Sequence, residues 1–155
     1  MNVAYVNPFI VATLNVFRSM VHVPIMLGRP YLKDRDDRLY KLYKLSATIG
    51  LSGAASGVVI LSLPEPVALA LASGLAGAPV TSLDTDCHDA VAEIVNMIAG
   101  GAKKDLPGGQ VTLGVPTLLY TGDVVYPDNC PVMAIPFDTS VGRFVIETAL
   151  HEQSG

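Results

Sequence analysis

Glu93 and Asn96 stand three residues apart in the run Asp86-Cys87-His88-Asp89-Ala90-Val91-Ala92-Glu93-Ile94-Val95-Asn96-Met97-Ile98-Ala99-Gly100. On a helix that spacing makes their side chains neighbours, and both are short enough to be held firmly by the backbone. The carboxylate can anchor a cation, while the uncharged carboxamide both donates to and accepts from water. At about 100° per residue, Ala90, Val91, Ile94, Val95, Met97 and Ile98 fall within one apolar arc, and Asp89, Ala92, Glu93, Asn96 and Gly100 fall opposite. An acid and an amide on a solvated face are common. Asn inside a helix is nevertheless a mildly poor helix former, and its presence asks for a reason.

The elements around this helix follow from spacing and punctuation. Ser82–Asp86 is a capping neighbourhood, the helix covers about Asp86–Gly100, and Gly100-Gly101 is the expected stop, with Lys103-Lys104 suited to the negative end of the dipole. Asn7-Pro8 reads as an N-cap and first turn of an earlier helix. Its faces are expected to divide Phe9, Thr13, Val16, Phe17 and Met20 from Pro8, Ala12, Asn15, Ser19 and His22. Pro24, Gly28 and Pro30 end it, and Arg29–Lys44 reads as a polar, tyrosine-rich surface connection. Leu45–Leu51 and Val58–Leu63 read as strands around a Ser52–Gly57 turn. Glu65–Leu75 is a buried alanine-rich helix closed by Gly77 and Pro79. Extended segments follow at Gln110–Tyr120, Pro131–Phe137 and Arg143–Leu150. The order predicts an α+β fold of two layers, with helices on one face of a largely antiparallel sheet. An Asn-bearing helix precedes strands in each half, a faint twofold repeat.

Length and composition bound the function. The 155 residues fit one domain, and a chain that is 50% apolar and 15% charged is no disordered segment. Net charge is −4; the Lys33–Lys44 stretch is locally +2, so the remainder is −6, which suits a basic partner and draws neither nucleic acid nor anionic lipid. Two cysteines, Cys87 and Cys130, make no disulfide framework or zinc spacing, and the opening residues make no signal peptide, so a reducing cytoplasmic setting is expected. Mean hydropathy is +0.45. Even so, the charge-free stretches Leu45–Pro64 and Pro66–Leu83 are broken by Gly and Pro, and no membrane span is expected. No phosphate loop follows Gly50, Gly53 and Gly57. Asp84–Asp89 reads as helix capping rather than a metal site. A helix-start Cys87 is open to activation, while His22 and His151 read as solvated.

The residues around the pair carry a resemblance. The run Asp89–Lys103 resembles the central helix of the CheX-like chemotaxis phosphatases (the CheC/CheX family). Val6-Asn7-Pro8-Phe9 with Asn15 resembles that family's first helix, and Ile49–Gly53 with Gly57–Leu63 its strand pair. Ala68–Gly77 looks like the following helix, and Leu113–Gly122 with Ile135-Pro136-Phe137 like the closing strands, in the same order over most of the chain. The resemblance implies hydrolysis of the aspartyl phosphate on a response-regulator receiver domain of the CheY type, in two-component signalling. Asn96 would orient the attacking water and Glu93 would pair with the receiver's Lys. Mg²⁺ is then expected in the receiver, with no cofactor or metal of this chain's own. A homodimer is likewise implied, and Asp89, Gly100 and Asn15 become candidate partner contacts.

The chemistry is compatible with this. Phosphoryl transfer asks mainly for an in-line water and charge compensation, and an amide is not repelled by the phosphoryl as a carboxylate would be. In the first helix the position three before Asn15 is Ala12, so that half lacks the acid, and a single active site is expected. The alternatives are a receiver-binding adaptor without turnover and a structural dimer module.

Overall fold

The computed structural model describes residues 3–33, 43–120, 125–127 and 130–152. A 3₁₀ turn, Val3–Tyr5, leads into α1 (Asn7–Val16), which continues as a π-helical turn, Phe17–Val21. Then come β1 (Met26–Leu27), β2 (Tyr31–Leu32), β3 (Leu45–Gly53), β4 (Ala55–Leu63), α2 (Glu65–Ala76), α3 (Thr85–Lys103), β5 (Val111–Leu113), β6 (Thr117–Tyr120), β7 (Met133–Thr139) and β8 (Gly142–Glu152). All strands join one sheet in the order β1-β7-β8-β4-β3-β5, with β2 also on β7 and β6 also on β3. Each pairing is antiparallel. The α+β fold with helices on one sheet face is therefore as expected.

The twofold repeat is real, and it is interleaved. Each half runs helix, two short strands, long hairpin. The short strands β1 and β2 of the first half lie on β7 of the second, and β5 and β6 lie on β3 of the first. The helices are exchanged in the same sense. α3 packs over β3 and β4, while Phe17 at the end of α1 stacks on Phe144 of β8 at 5.2 Å, and Phe144 on Phe137 of β7 at 5.2 Å. A single core, including Phe9, Val59, Leu61, Leu71, Ile94, Ile98 and Ile146, fills the space between sheet and helices.

Local chemistry corrects several expectations. Asn7 does not cap α1: Val6 holds the N-cap position in helical conformation and no side chain caps it, because the preceding turn already supplies the Val6 carbonyl to Phe9 and Ile10. Past Val16 the wider π turn rotates the register, so Val21 is buried and Met20 is 48% exposed. Ala12, expected beside Asn15 on the open face, is buried. The β3–β4 turn is tighter than a Ser52–Gly57 loop, since β4 resumes at Ala55. Gly57 lies within β4 at φ +143°, where a Cβ would collide with the Ala149 carbonyl of β8. Close strand approach, not a turn, requires this glycine.

The far face of the sheet carries a smaller apolar layer, Ile60, Ala134 and Val145 with Tyr43 and Tyr126 against it. Lys33 is here, and it is buried rather than on a surface connection. Its backbone N–H donates to the Val132 carbonyl at 2.8 Å, and its Nζ meets Glu147 Oε2 of β8 at 2.6 Å. The Tyr126 hydroxyl donates to Glu147 Oε1. Residues 34–42 of the charged stretch, and residues 121–122 of the Leu113–Gly122 segment likened to a closing strand, lie outside the described residues.

Candidate active site

α3 begins with Asp84 as its N-cap, whose Oδ1 accepts from the Cys87 N–H at 3.0 Å while Ser82 Oγ donates to Oδ2 at 3.2 Å. The Cys87 amide chiefly holds the Asp84 carboxyl below the usual carboxylate range, and the Ser82 hydroxyl adds to this. The acid-rich segment is thus a cap, as expected, and among the described residues no group of three His, Cys, Asp or Glu is placed to hold a metal. Cys87 is a buried thiol whose Sγ reaches the Ala68 carbonyl at 3.9 Å. Burial pushes its pKa up, reinforced by the charges of Asp84 and Glu65. Its position near a helix start therefore does not activate it.

From this cap the helix runs nineteen residues, straight through Gly100 and Gly101 to Lys103. The expected glycine stop fails because both glycines hold right-handed helical backbone. One side of α3 is buried without gaps: Cys87, Val91, Ile94, Val95, Ile98, Ala99 and Ala102. Ala90 and Met97 flank it, half-buried against the core. α1 packs along α3, with Gly101 against Ala12, and α2 packs on its other flank.

The opposite face is open. Asp89 and Glu93 are exposed, and Asn96 and Gly100 are half-buried. Among the described residues, nothing hydrogen-bonds or ion-pairs with the side chain of Glu93 or Asn96. Among the described residues, both donor hydrogens and the acceptor of the Asn96 amide are therefore uncommitted. Asn15 differs. It is exposed on α1, but its Oδ1 accepts from Arg18 Nη2 at 2.9 Å, and its carbonyl accepts from Ser19 Oγ at 2.7 Å. The helix thus gathers Asp89, Glu93, Asn96 and Gly100 on one face, and Asn15 remains a neighbour engaged within its own helix.

No residue of that face lines the groove of about 530 Å³ formed by Leu14, Phe17, Arg18, His22, Val23, Pro24 and Ile25. The carboxylate–amide pair stands on α3 instead, Glu93 exposed and Asn96 half-buried. No helix among the described residues is long and apolar enough to cross a membrane. The buried Lys33–Glu147–Tyr126 cluster escaped sequence reasoning, because Lys33 opens a charged run that reads as solvated and its partners are 93 and 114 residues away. His88 Nε2 is also buried without a partner among the described residues, and nothing in its sequence neighbourhood signals that.

Fold and site define a two-layer α+β protein whose polar pair stands on an open face of a core-anchored helix. The chain belongs to the CheX family: the family model described as chemotaxis phosphatase CheX matches residues 45–138, and phosphatase activity follows at that level. Solved structures agree. The chemotaxis protein CheX from Desulfovibrio desulfuricans is 30% identical with a TM-score of 0.83, the match covering 94% of this chain and 97% of that one. CheX from Vibrio vulnificus is 26% identical at TM-score 0.83, covering 95% and 99%. CheX in the CheX–CheY–BeF₃–Mg²⁺ complex from Borrelia burgdorferi is 26% identical at TM-score 0.77, covering 96% and 98%. No curated protein sequence matches the chain. The resemblance drawn from the sequence is borne out.

Proposed function

We propose that this protein hydrolyses the aspartyl phosphate of a CheY-like receiver domain. One observation carries the proposal: Glu93 and Asn96 stand together on the open face of α3, and the Asn96 amide has no hydrogen-bond partner among the described residues. Docked on a receiver, Asn96 enters the phosphorylated pocket and holds a water in line with the phosphorus. Orientation alone removes a large part of the barrier, since the transition state needs little covalent help. Glu93, one turn away, pairs with a receiver lysine and fixes register and encounter more than affinity. Asp89 and Asn15 border the contact.

The Mg²⁺ that neutralises charge on the phosphoryl oxygens belongs to the receiver, and this chain supplies no ligand to it. The Borrelia relative's complex with CheY, BeF₃ and Mg²⁺ supports a CheY-type receiver as the partner. The working form is a cytoplasmic homodimer.

The test is decay of a phosphorylated CheY receiver with wild type, Glu93→Ala and Asn96→Ala. Asn96→Ala is expected to lower stimulated hydrolysis by about 10²–10³-fold, as for other positioned polar groups, with the fold intact. Glu93→Ala is expected to act mainly through KM. If wild type leaves receiver lifetimes unchanged while a pull-down survives Asn96→Ala, the protein is an adaptor and the proposal is wrong.

A further inference from the structure

Gly100 lies four residues after Asn96 and seven after Glu93, on the same face of α3. Glycine inside a helix is the poorest choice short of proline, and two structural demands ordinarily explain it: left-handed backbone, or no room for a Cβ. The adjacent Gly101 meets the second demand, since its Cβ would stand 3.2 Å from that of Ala12. Gly100 meets neither. Its backbone is right-handed helical, and the nearest atom to a Cβ built there is Leu113 Cδ1 at 4.0 Å, an ordinary contact. Nor does it end the helix, which continues to Lys103. Among the described residues there is room for a Cβ at Gly100, and helix propensity would rise with one.

We infer that Gly100 is a steric selectivity element: the docked receiver brings its own surface against the bare backbone of α3 at Gly100, so that Asn96, one turn away, can reach the phosphoryl group. This rests on the receiver-docking reading above and adds to it a point of close approach. A side chain at Gly100 would hold the partner off by one to two carbon diameters. The amide of Asn96 would then be withdrawn from the pocket, although every group that touches the reaction is still present. The partner accepted is one whose rim beside the phosphorylated pocket is flush enough to lie on a helix backbone.

The experiment uses Gly100→Ala and Gly100→Gln in the full chain, both helix formers, with Asn96→Ala alongside. Three readouts are taken: the melting midpoint, Kd for a CheY receiver loaded with beryllofluoride and Mg²⁺, and kcat against KM in phospho-receiver decay. Gly100→Ala is expected to melt about 2–4 °C higher than wild type, and Gly100→Gln no lower than wild type. Gly100→Gln is expected to weaken receiver binding by about tenfold or more, with Ala between, and the loss should appear in both KM and kcat. Wild-type binding by a folded Gly100→Gln overturns the inference. So does a marked fall in melting midpoint for both variants, which would show that the fold itself requires the glycine. If Asn96→Ala is as active as wild type, the reading of the site fails. If Asn96→Ala is inert and Gly100→Gln behaves as wild type, only this inference fails.

Discussion

Gly101 of α3 presses on Ala12 of α1 so closely that a Cβ on the glycine would stand 3.2 Å from the alanine's. Ala12 is three residues before Asn15, the place that Glu93 holds before Asn96. The same contact that seats α3 against α1 therefore occupies the position where a second acid would have to stand. α1 keeps an Asn, but that Asn is engaged by Arg18. That packing leaves α1 no place for the acid of an acid–amide pair. Ala12→Glu is accordingly expected to create no second site: in an Asn96→Ala background it restores no receiver dephosphorylation. Forcing a carboxylate into the helix contact should cost about 1–3 kcal/mol or more, read as a lower urea midpoint.

Asn96→Asp separates water orientation from mere hydrogen-bonding capacity. The aspartate is nearly isosteric and accepts hydrogen bonds, but when ionised it donates none and carries charge toward an anionic phosphoryl group. Its half-buried position on α3 places it outside the core, so folding should survive. Activity at neutral pH should fall by about 10²-fold or more, close to the effect of Asn96→Ala. An Asp variant with near wild-type turnover would mean that the amide's donor hydrogens play no part.

The legible and the illegible parts of this molecule divide by range. α3 could be read because its apolar stripe, its Asp84 cap and its polar face are all encoded within twenty residues. The strand pair β3–β4 could be read from composition, although Gly57 misled: in a strand, glycine marks close approach as readily as a turn, and only Ala149, from a strand far later in the chain, reveals which. Gly100 and Gly101 misled for a related reason, since two adjacent glycines resemble a helix end until the neighbour at Ala12 is known. Met20 was misplaced by a π turn that alters the helical period. Glu93 and Asn96 were legible as neighbours. Their lack of a partner among the described residues was not, because that depends on what every other element leaves uncovered.

The Lys33–Glu147 pair is the clearest long-range feature. Both side chains are 1% exposed, with Nζ and Oε2 at 2.6 Å, and Tyr126 supports the carboxylate from the other oxygen. Removing one partner leaves a buried uncompensated charge. Lys33→Met should therefore cost about 3–5 kcal/mol, whereas Lys33→Met with Glu147→Leu should recover most of it. Urea unfolding of the single and double variants measures both. Because the pair lies on the sheet face away from α3, the double variant should dephosphorylate receivers at the wild-type rate. Equal destabilisation by the single and double changes would show that the charge interaction itself dominates.

Acid sensitivity has two identified contributors. The Cys87 amide at the α3 cap holds the Asp84 carboxyl below its usual range, and Arg143 does the same for Asp138, with Nε–Oδ1 at 2.9 Å. Folded carboxyls that hold protons less tightly than unfolded ones stabilise the fold above the unfolded pKa, near 3.8 here. That contribution disappears as pH falls through the lower folded values. Stability should be flat in this respect from pH 7 to about 5 and should decline below about 4. Asp84→Asn keeps a capping oxygen, since Asn caps as well as Asp, but cannot titrate. It should shed part of the decline at the N-terminus of α3 while retaining the neutral-pH fold. Asp138→Asn should shed the part that belongs to the β7–β8 hairpin. Urea midpoints at pH 3, 4, 5 and 7 for the wild type and both variants test this, and a variant whose decline matches the wild type's would exclude its carboxyl as a source.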